Sequence, residues 1–280
     1  PPRSTLFPYT TLFRSAKFYE SLQDPFLKNS YKNHFDLGAG ATFYYTTNPN
    51  ANSNRSFFYL RWTNDIAGNL ISIFNSALSR DTSGFRKIWN TPYAQYLRSE
   101  FTIAQTWRIN TRESFATRFN IGIGYAYGNS RTLPYEKLFY SGGANSLRGW
   151  QARSVGPGSA SIDTTFTLPN QTGDLKLELN AEYRFGMFWN IEGALFVDAG
   201  NIWTLRNEPG KENATFRFKD FYKSVAVNWG FGARLNLDFV ILRLDLGMVA
   251  HDPQTNRWLG AADWFKKNTY SLQFGVGYPF

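Results

Sequence analysis

The chain has 280 residues, no cysteine, two histidines and a formal net charge of +9. The missing thiols exclude a disulfide framework and thiolate metal sites, and no run approaches the roughly 18 consecutive apolar residues of a membrane-spanning helix. Aromatic residues still make up 18% of the chain. That is far more than one core of this size needs, and it points to a second, apolar solvent around part of the surface.

Residues 1–15 contain the near-duplicates T-L-F-P and T-L-F-R, carry no secretion-signal pattern and share none of the periodicity that follows. They read as a non-native or disordered leader ahead of one domain over 16–280. From there, two-residue alternation dominates, which is the pattern of strands with two chemically different faces. It is weak over 34–47, 54–64 and 70–80, then strong. In 97–110, Leu97, Phe101, Ile103, Trp107 and Ile109 share one face, and Arg98, Glu100, Thr102 and Arg108 the other. In 115–127, Phe115, Phe119, Ile121, Ile123 and Tyr125 oppose Arg118, Asn120 and glycines.

The alternation recurs over 175–187, 225–239, 240–250 and 270–280, and no apolar-face position in these six strong segments is charged. A charge on a lipid-facing strand costs about 2–4 kcal/mol near the bilayer midplane, which accounts for so clean an exclusion. Adding 191–201 predicts about ten strands, most near the roughly 9–11 residues of a tilted membrane crossing. Short connections are predicted at 65–69, 110–114, 188–190 and around 238–240. Longer ones are predicted at 81–94, 128–174, 202–222 and 251–268. Such alternation is expected of an all-β, antiparallel transmembrane barrel with short periplasmic turns, long extracellular loops and a periplasmic C-terminus.

Trp62, Tyr96, Trp189, Trp203, Tyr222 and Tyr278 fall near predicted strand ends, where aromatic girdles form. The basic balance raises nucleic acid as a partner, but the charges follow strand parity rather than forming a patch. They suit a wet lumen or anionic lipid headgroups, and no nucleic acid is expected.

Two stretches stand out. The segment 270–280 reads Y-S-L-Q-F-G-V-G-Y-P-F, with Tyr270, Leu272, Phe274, Val276, Tyr278 and Phe280 at alternate positions. It resembles the C-terminal signal that assembly machinery reads on outer-membrane barrels, a form of recognition suited to strand addition. Within the predicted loop 128–174 stands S-G-G-A-N-S-L-R-G-W, which brackets Arg148 with Gly142, Gly143 and Gly149 ahead of Trp150. Gly156-Pro157-Gly158 would turn the chain back.

With L-F-V-D-A-G-N carrying Phe196, Asp198 and Gly200, and L-N-A-E-Y-R-F carrying Glu182, this loop resembles the sixth extracellular loop of the BamA/TamA-type outer-membrane assembly family. The resemblance implies an Arg148-Gly149-Trp150 tip folded into the lumen. Parity independently puts Glu182 and Asp198 on polar faces, and an arginine fork can bind a carboxylate through two parallel hydrogen bonds. Asp198 is the first expected partner and Glu182 the second.

The family's full barrels have sixteen strands after soluble periplasmic repeats, so the chain corresponds to the C-terminal part. The resemblance implies insertion of client β-barrel proteins into the bacterial outer membrane. The implied partners are those clients, the barrel assembly machinery, outer-membrane lipid and lipopolysaccharide.

A passive porin, with Arg98, Arg118 and Arg234 setting ion selectivity, remains an alternative, as does a two-partner-secretion-type translocation pore or a barrel-anchored surface enzyme. Catalytic signals are weak. His34 and His251 read as rim residues without metal spacing, and no phosphate loop or nucleophile elbow is present. Glu178 and Glu182 read as ion pairs with Lys176 and Arg184 rather than an acid-base dyad. No cofactor, metal or catalytic residue is expected.

Overall fold

The structure is a computed structural model and describes residues 34–48, 55–161, 171–208, 210–237 and 239–280. The leader 1–15, residues 162–170 of the long loop and Asp238 of a predicted turn lie outside the described residues.

One antiparallel sheet contains β1 (Gly38–Thr46), β2 (Phe57–Ala67), β5 (Tyr96–Arg108), β6 (Glu113–Ala126), β7 (Leu175–Gly186), β8 (Ile191–Trp203), β9 (Ala226–Asn236), β10 (Ile241–Asp252) and β12 (Tyr270–Val276). The two-residue β11 (Arg257–Trp258) joins it at β10, and β3 (Lys87–Ile88) with β4 (Thr91–Pro92) forms a separate ribbon. The long strands pair in chain order, β12 lying against β10. Among the described residues β1 pairs only with β2 and β12 only with β10, so the sheet has two free edges.

Side-chain distribution is inverted relative to a water-soluble protein. Buried positions include Thr102, Asn120, Glu178, Asn180, Asp198, Asn228, Arg234 and Asp245, while Phe119, Ile121, Leu179, Leu195, Val197, Phe231 and Leu272 are exposed. A continuous apolar exterior over a polar interior is the arrangement a bilayer selects. The sheet also curls. Arg118 on β6 lies over the Phe280 ring, which follows β12.

The predicted strand at 70–80 is absent; Asn69–Ser72 is a single helical turn, followed by a 3-10 turn at Asn75–Ala77. β2 pairs directly and antiparallel with β5, which leaves no sheet position between them. The connection after β2 is therefore one of the long ones, starting at Gly68 in the left-handed region, φ 79°. The short turns after β5, β7 and β9 lie at the other end. In the first of these, the Arg112 amide donates to Asn110 Oδ1 at 2.8 Å.

The aromatic girdle is only partly present. Trp189 and Tyr222 are exposed, whereas Tyr96 and Trp203 are buried and Trp62 sits mid-strand. Tyr96 packs with Ala67, Ala126 and Leu138 beneath the long loop. Trp203 donates to Ser224 Oγ at 2.9 Å and meets Phe216 edge-on. Tyr96 thus serves loop packing on the inner side, whereas Trp203, opposite Leu175 and on the same face as Leu195 and Val197, is covered by the connection that carries Phe216, Phe221 and Ser224.

Candidate functional site

The long connection between β6 and β7 enters the lumen. Its tip is a compact knot: Gly142 and Gly143 both adopt φ 99°, a conformation open to glycine but costly for other residues. The Gly143 amide donates to the carbonyls of Leu147 (3.2 Å) and Trp150 (3.0 Å). Leu147, Val155 and Ala226 form a small apolar cluster with Trp150 against it, seating the knot on β9. On β10, a Cβ at Gly247 would stand 2.5 Å from the Arg148 carbonyl oxygen and 2.7 Å from the Gly149 nitrogen. The tip backbone therefore lies directly on a wall that only glycine leaves flat. Ser141 Oγ adds a 2.6 Å bond to Glu178 on β7, and Ser146 Oγ donates to the same carboxylate.

This seat aims Arg148 into a buried charge cluster; it is 1% exposed. Its Nε and Nη2 donate to the two oxygens of Asp198 at 3.0 and 2.8 Å, a two-pronged fork. Its own amide donates to Asp198 at 3.1 Å, while Nη1 pairs with Glu182. The Phe196 ring supports the guanidinium face at 3.5 Å. Asn180 and Asn228 donate to Asp198 at 2.8 and 2.9 Å, so that carboxylate is held from β7, β9 and the loop together. Gly200 continues the same strand, where a Cβ would stand 2.9 Å from Glu178 Cα.

The cluster extends beyond the pair that the sequence singles out. Glu182 also binds Arg184 at 2.7 Å and Arg234 at 3.0 Å. Asp245 lies 2.8 Å from Arg234, 3.1 Å from Arg243 and 3.8 Å from Arg148, at ion-pair distance without hydrogen-bond angles. Arg243 reaches back to the loop at Asn145 Oδ1, 2.7 Å. Parity marks Asp245, Arg243 and Asn228 as lumen residues. Only the register across β8, β9 and β10 shows that they meet Arg148.

The arginines assigned to porin selectivity are all engaged: Arg98 with Glu100, Arg118 with Asn180, and Arg234 within the cluster. Glu178 pairs with Lys176 at 3.2 Å, beside the Glu182–Arg184 pair. His251 corrects the rim expectation. It is buried, 2.6 Å from the Val225 carbonyl and against the Trp258 ring. No group of residues suited to a metal ion occurs among the described residues.

The C-terminal segment divides in two. Tyr270, Leu272, Phe274 and Val276 all point outward and are exposed. Tyr278 and Phe280 do not continue that face. Gly277 turns at φ 78°, Pro279 cannot extend the ladder, and the chain end swings inward. The Tyr278 hydroxyl donates to Glu192 at 2.8 Å, and Arg184 lies 4.2 Å over its ring and donates to the Phe280 carbonyl.

Residues 14–280 match the Omp85 superfamily domain. The chain belongs to the Omp85 superfamily. As such it is an integral β-barrel protein of the bacterial outer membrane. It is 29% identical over 106 residues to the outer membrane protein assembly factor BamA of Neisseria meningitidis serogroup B, an alignment covering 35% of this chain and 13% of that protein. Among solved structures it is similar to BamA from Haemophilus ducreyi lacking POTRA domains 1–3, with TM-score 0.45 and 15% identity over 85% of this chain and 53% of that one. CdiB from Acinetobacter baumannii gives TM-score 0.46 and 14% identity over 86% and 32%. The chain thus spans no more than about half the length of these relatives.

Proposed function

We propose that residues 16–280 form one barrel domain, the C-terminal barrel portion of an outer-membrane protein assembly and insertion factor. In this reading the long loops face the exterior and the short turns and C-terminus face the periplasm. Lipid and lipopolysaccharide surround the wall, the barrel assembly machinery is its setting, and client β-barrel proteins are its substrates.

The observation that carries the reading is the seated loop tip. A loop that spends a bidentate arginine and three carboxylates on fixing itself inside the lumen acts as an internal brace. The tip also reaches the free-edge strand, since Gln273 on β12 donates to the Trp150 carbonyl at 2.8 Å. Arg148 with Gly142, Gly143, Gly149 and Trp150 is the brace; Asp198, Glu182, Phe196 and Gly200 are its wall. An edge with unpaired N–H and C=O groups is a template for an incoming strand. Bracing one side of it would hold that template in shape. No cofactor enters this scheme, and folding into lipid would drive the reaction.

The test is reconstitution of the full chain in lipid vesicles with an unfolded outer-membrane β-barrel as client. Client folding, read as the heat-sensitive mobility shift, is expected to run several-fold faster than in empty vesicles, and Arg148→Ala is expected to remove most of the gain. A steady ion conductance that survives Arg148→Ala, with no acceleration of folding, would overturn the reading in favour of a passive pore. Passage of an unfolded exoprotein without client insertion would favour a secretion pore.

A further inference from the structure

Among the described residues, the outer wall carries an anomaly at β10. Val197, Trp229, Met248 and Tyr270 form a row across β8, β9, β10 and β12, all on the outward face. Val197 is 50% and Tyr270 44% exposed, yet Met248 is 3% exposed. The connection from β10 to β12 accounts for the difference, because it folds back over the outside of the barrel. Trp264 packs on Trp229 with ring centres 4.9 Å apart, and Phe265 meets Tyr270 at 5.7 Å. The two rings thus straddle the strand that bears Met248.

Thr269 ties the segment down, its amide oxygen accepting from Val249 at 2.9 Å and its hydroxyl donating to the carbonyls of Asp263 and Lys266. Phe265 is held at φ 66°, a backbone conformation rare for a bulky residue.

This flap sets charge directly beside lipid-facing rings. Lys266, Lys267 and Arg257 are exposed, and Asp263 is the acid that meets them, 2.8 Å from Lys266 and 3.5 Å from Arg257. Asp252 is turned into its own loop, accepting from Thr255. Counted over residues 204–225 and 252–269, the two loops at this rim hold eight basic and five acidic residues. Trp264 Nε1 is buried with no hydrogen-bond partner among the described residues. Rings set at the level of a bilayer interface with cations beside them are the arrangement that holds an anionic headgroup while its acyl chains lie along the wall.

We propose that the 257–267 flap is a binding site for an outer-leaflet lipid bearing a phosphate monoester, with Lys266, Lys267 and Arg257 on the phosphate and Trp264 and Phe265 against the lipid. It rests on the long-loop rim facing the exterior, and it adds to the proposed function a specific point of attachment to the outer leaflet.

The experiment uses the full chain folded in detergent. Bis-phosphorylated lipid A, its dephosphorylated form and phosphatidylglycerol are offered separately, and bound lipid is counted by native mass spectrometry. Wild type is expected to retain lipid A about tenfold better than the other two, and R257A/K266A/K267A to lose that preference. All three residues are exposed, so this variant is expected to fold, which its heat-sensitive mobility checks. Trp264→Leu, which also removes the indole N–H, is expected to weaken retention with the charges intact. Equal retention by the triple variant, or phosphatidylglycerol held as well as lipid A, would overturn the site. Client insertion is measured separately, so normal lipid binding with no insertion would sink only the assembly reading.

Discussion

Two stretches of the same lumen wall behave in opposite ways. On β8, β9 and β10 the inward residues Asp198, Asn228 and Asp245 are fully buried, although each is polar or charged. On β1, every residue from Gly38 to Tyr45 is exposed, on both faces of the strand. The strands share one sheet, but β1 alternates weakly and is a free edge, whereas the loop tip packs on β7 to β10 and turns their polar wall into a buried ion cluster. Local stability should follow the loop.

The largest expected effect comes from removing the cation at the centre of the covered region. Arg148→Ala leaves Asp198 and Glu182 short of a buried partner, which costs about 3–5 kcal/mol. It should appear as a large drop in the urea midpoint of the detergent-folded barrel. Gly247→Val comes next, because its side chain must push the loop backbone off the wall. Such overpacking costs about 1–3 kcal/mol, and amide exchange should rise through residues 141–155 if the tip lifts.

Tyr278→Phe deletes the bond to Glu192 and should cost about 1 kcal/mol while speeding carboxypeptidase trimming of the chain end. Smallest of all, Tyr44→Ala on β1 should change the midpoint by no more than about 0.5 kcal/mol. A Tyr44 effect as large as that of Gly247 would erase the contrast between the two walls.

Much of this contrast can be read from the sequence, because strand parity is a local property. Alternation places Glu182 and Asp198 on the inner side, and the glycine bracket marks the tip that carries Arg148. Other features depend on contacts no local pattern encodes. The 70–80 segment alternates weakly, but direct pairing of β2 with β5 leaves it no neighbour. The inward turn of Tyr278 and Phe280 depends on Gly277 and on an arginine ninety-odd residues away. Asp245, Arg234 and Arg243 carry the right parity, yet nothing short of the register between β9 and β10 joins them to Glu182. The flap over Met248 is invisible for the same reason, since Trp229 and Trp264 meet only once β9 and β12 flank β10.

The central claim is that Arg148 and Asp198 act as one unit in closing the lumen. A double-mutant cycle of Arg148→Ala and Asp198→Asn, read by the urea midpoint of the folded barrel and by client folding rate, tests it most directly. The double variant is expected to be little worse than Arg148→Ala alone, with a coupling of about 1–3 kcal/mol. Two single effects that simply add, or two that are both negligible, would contradict it.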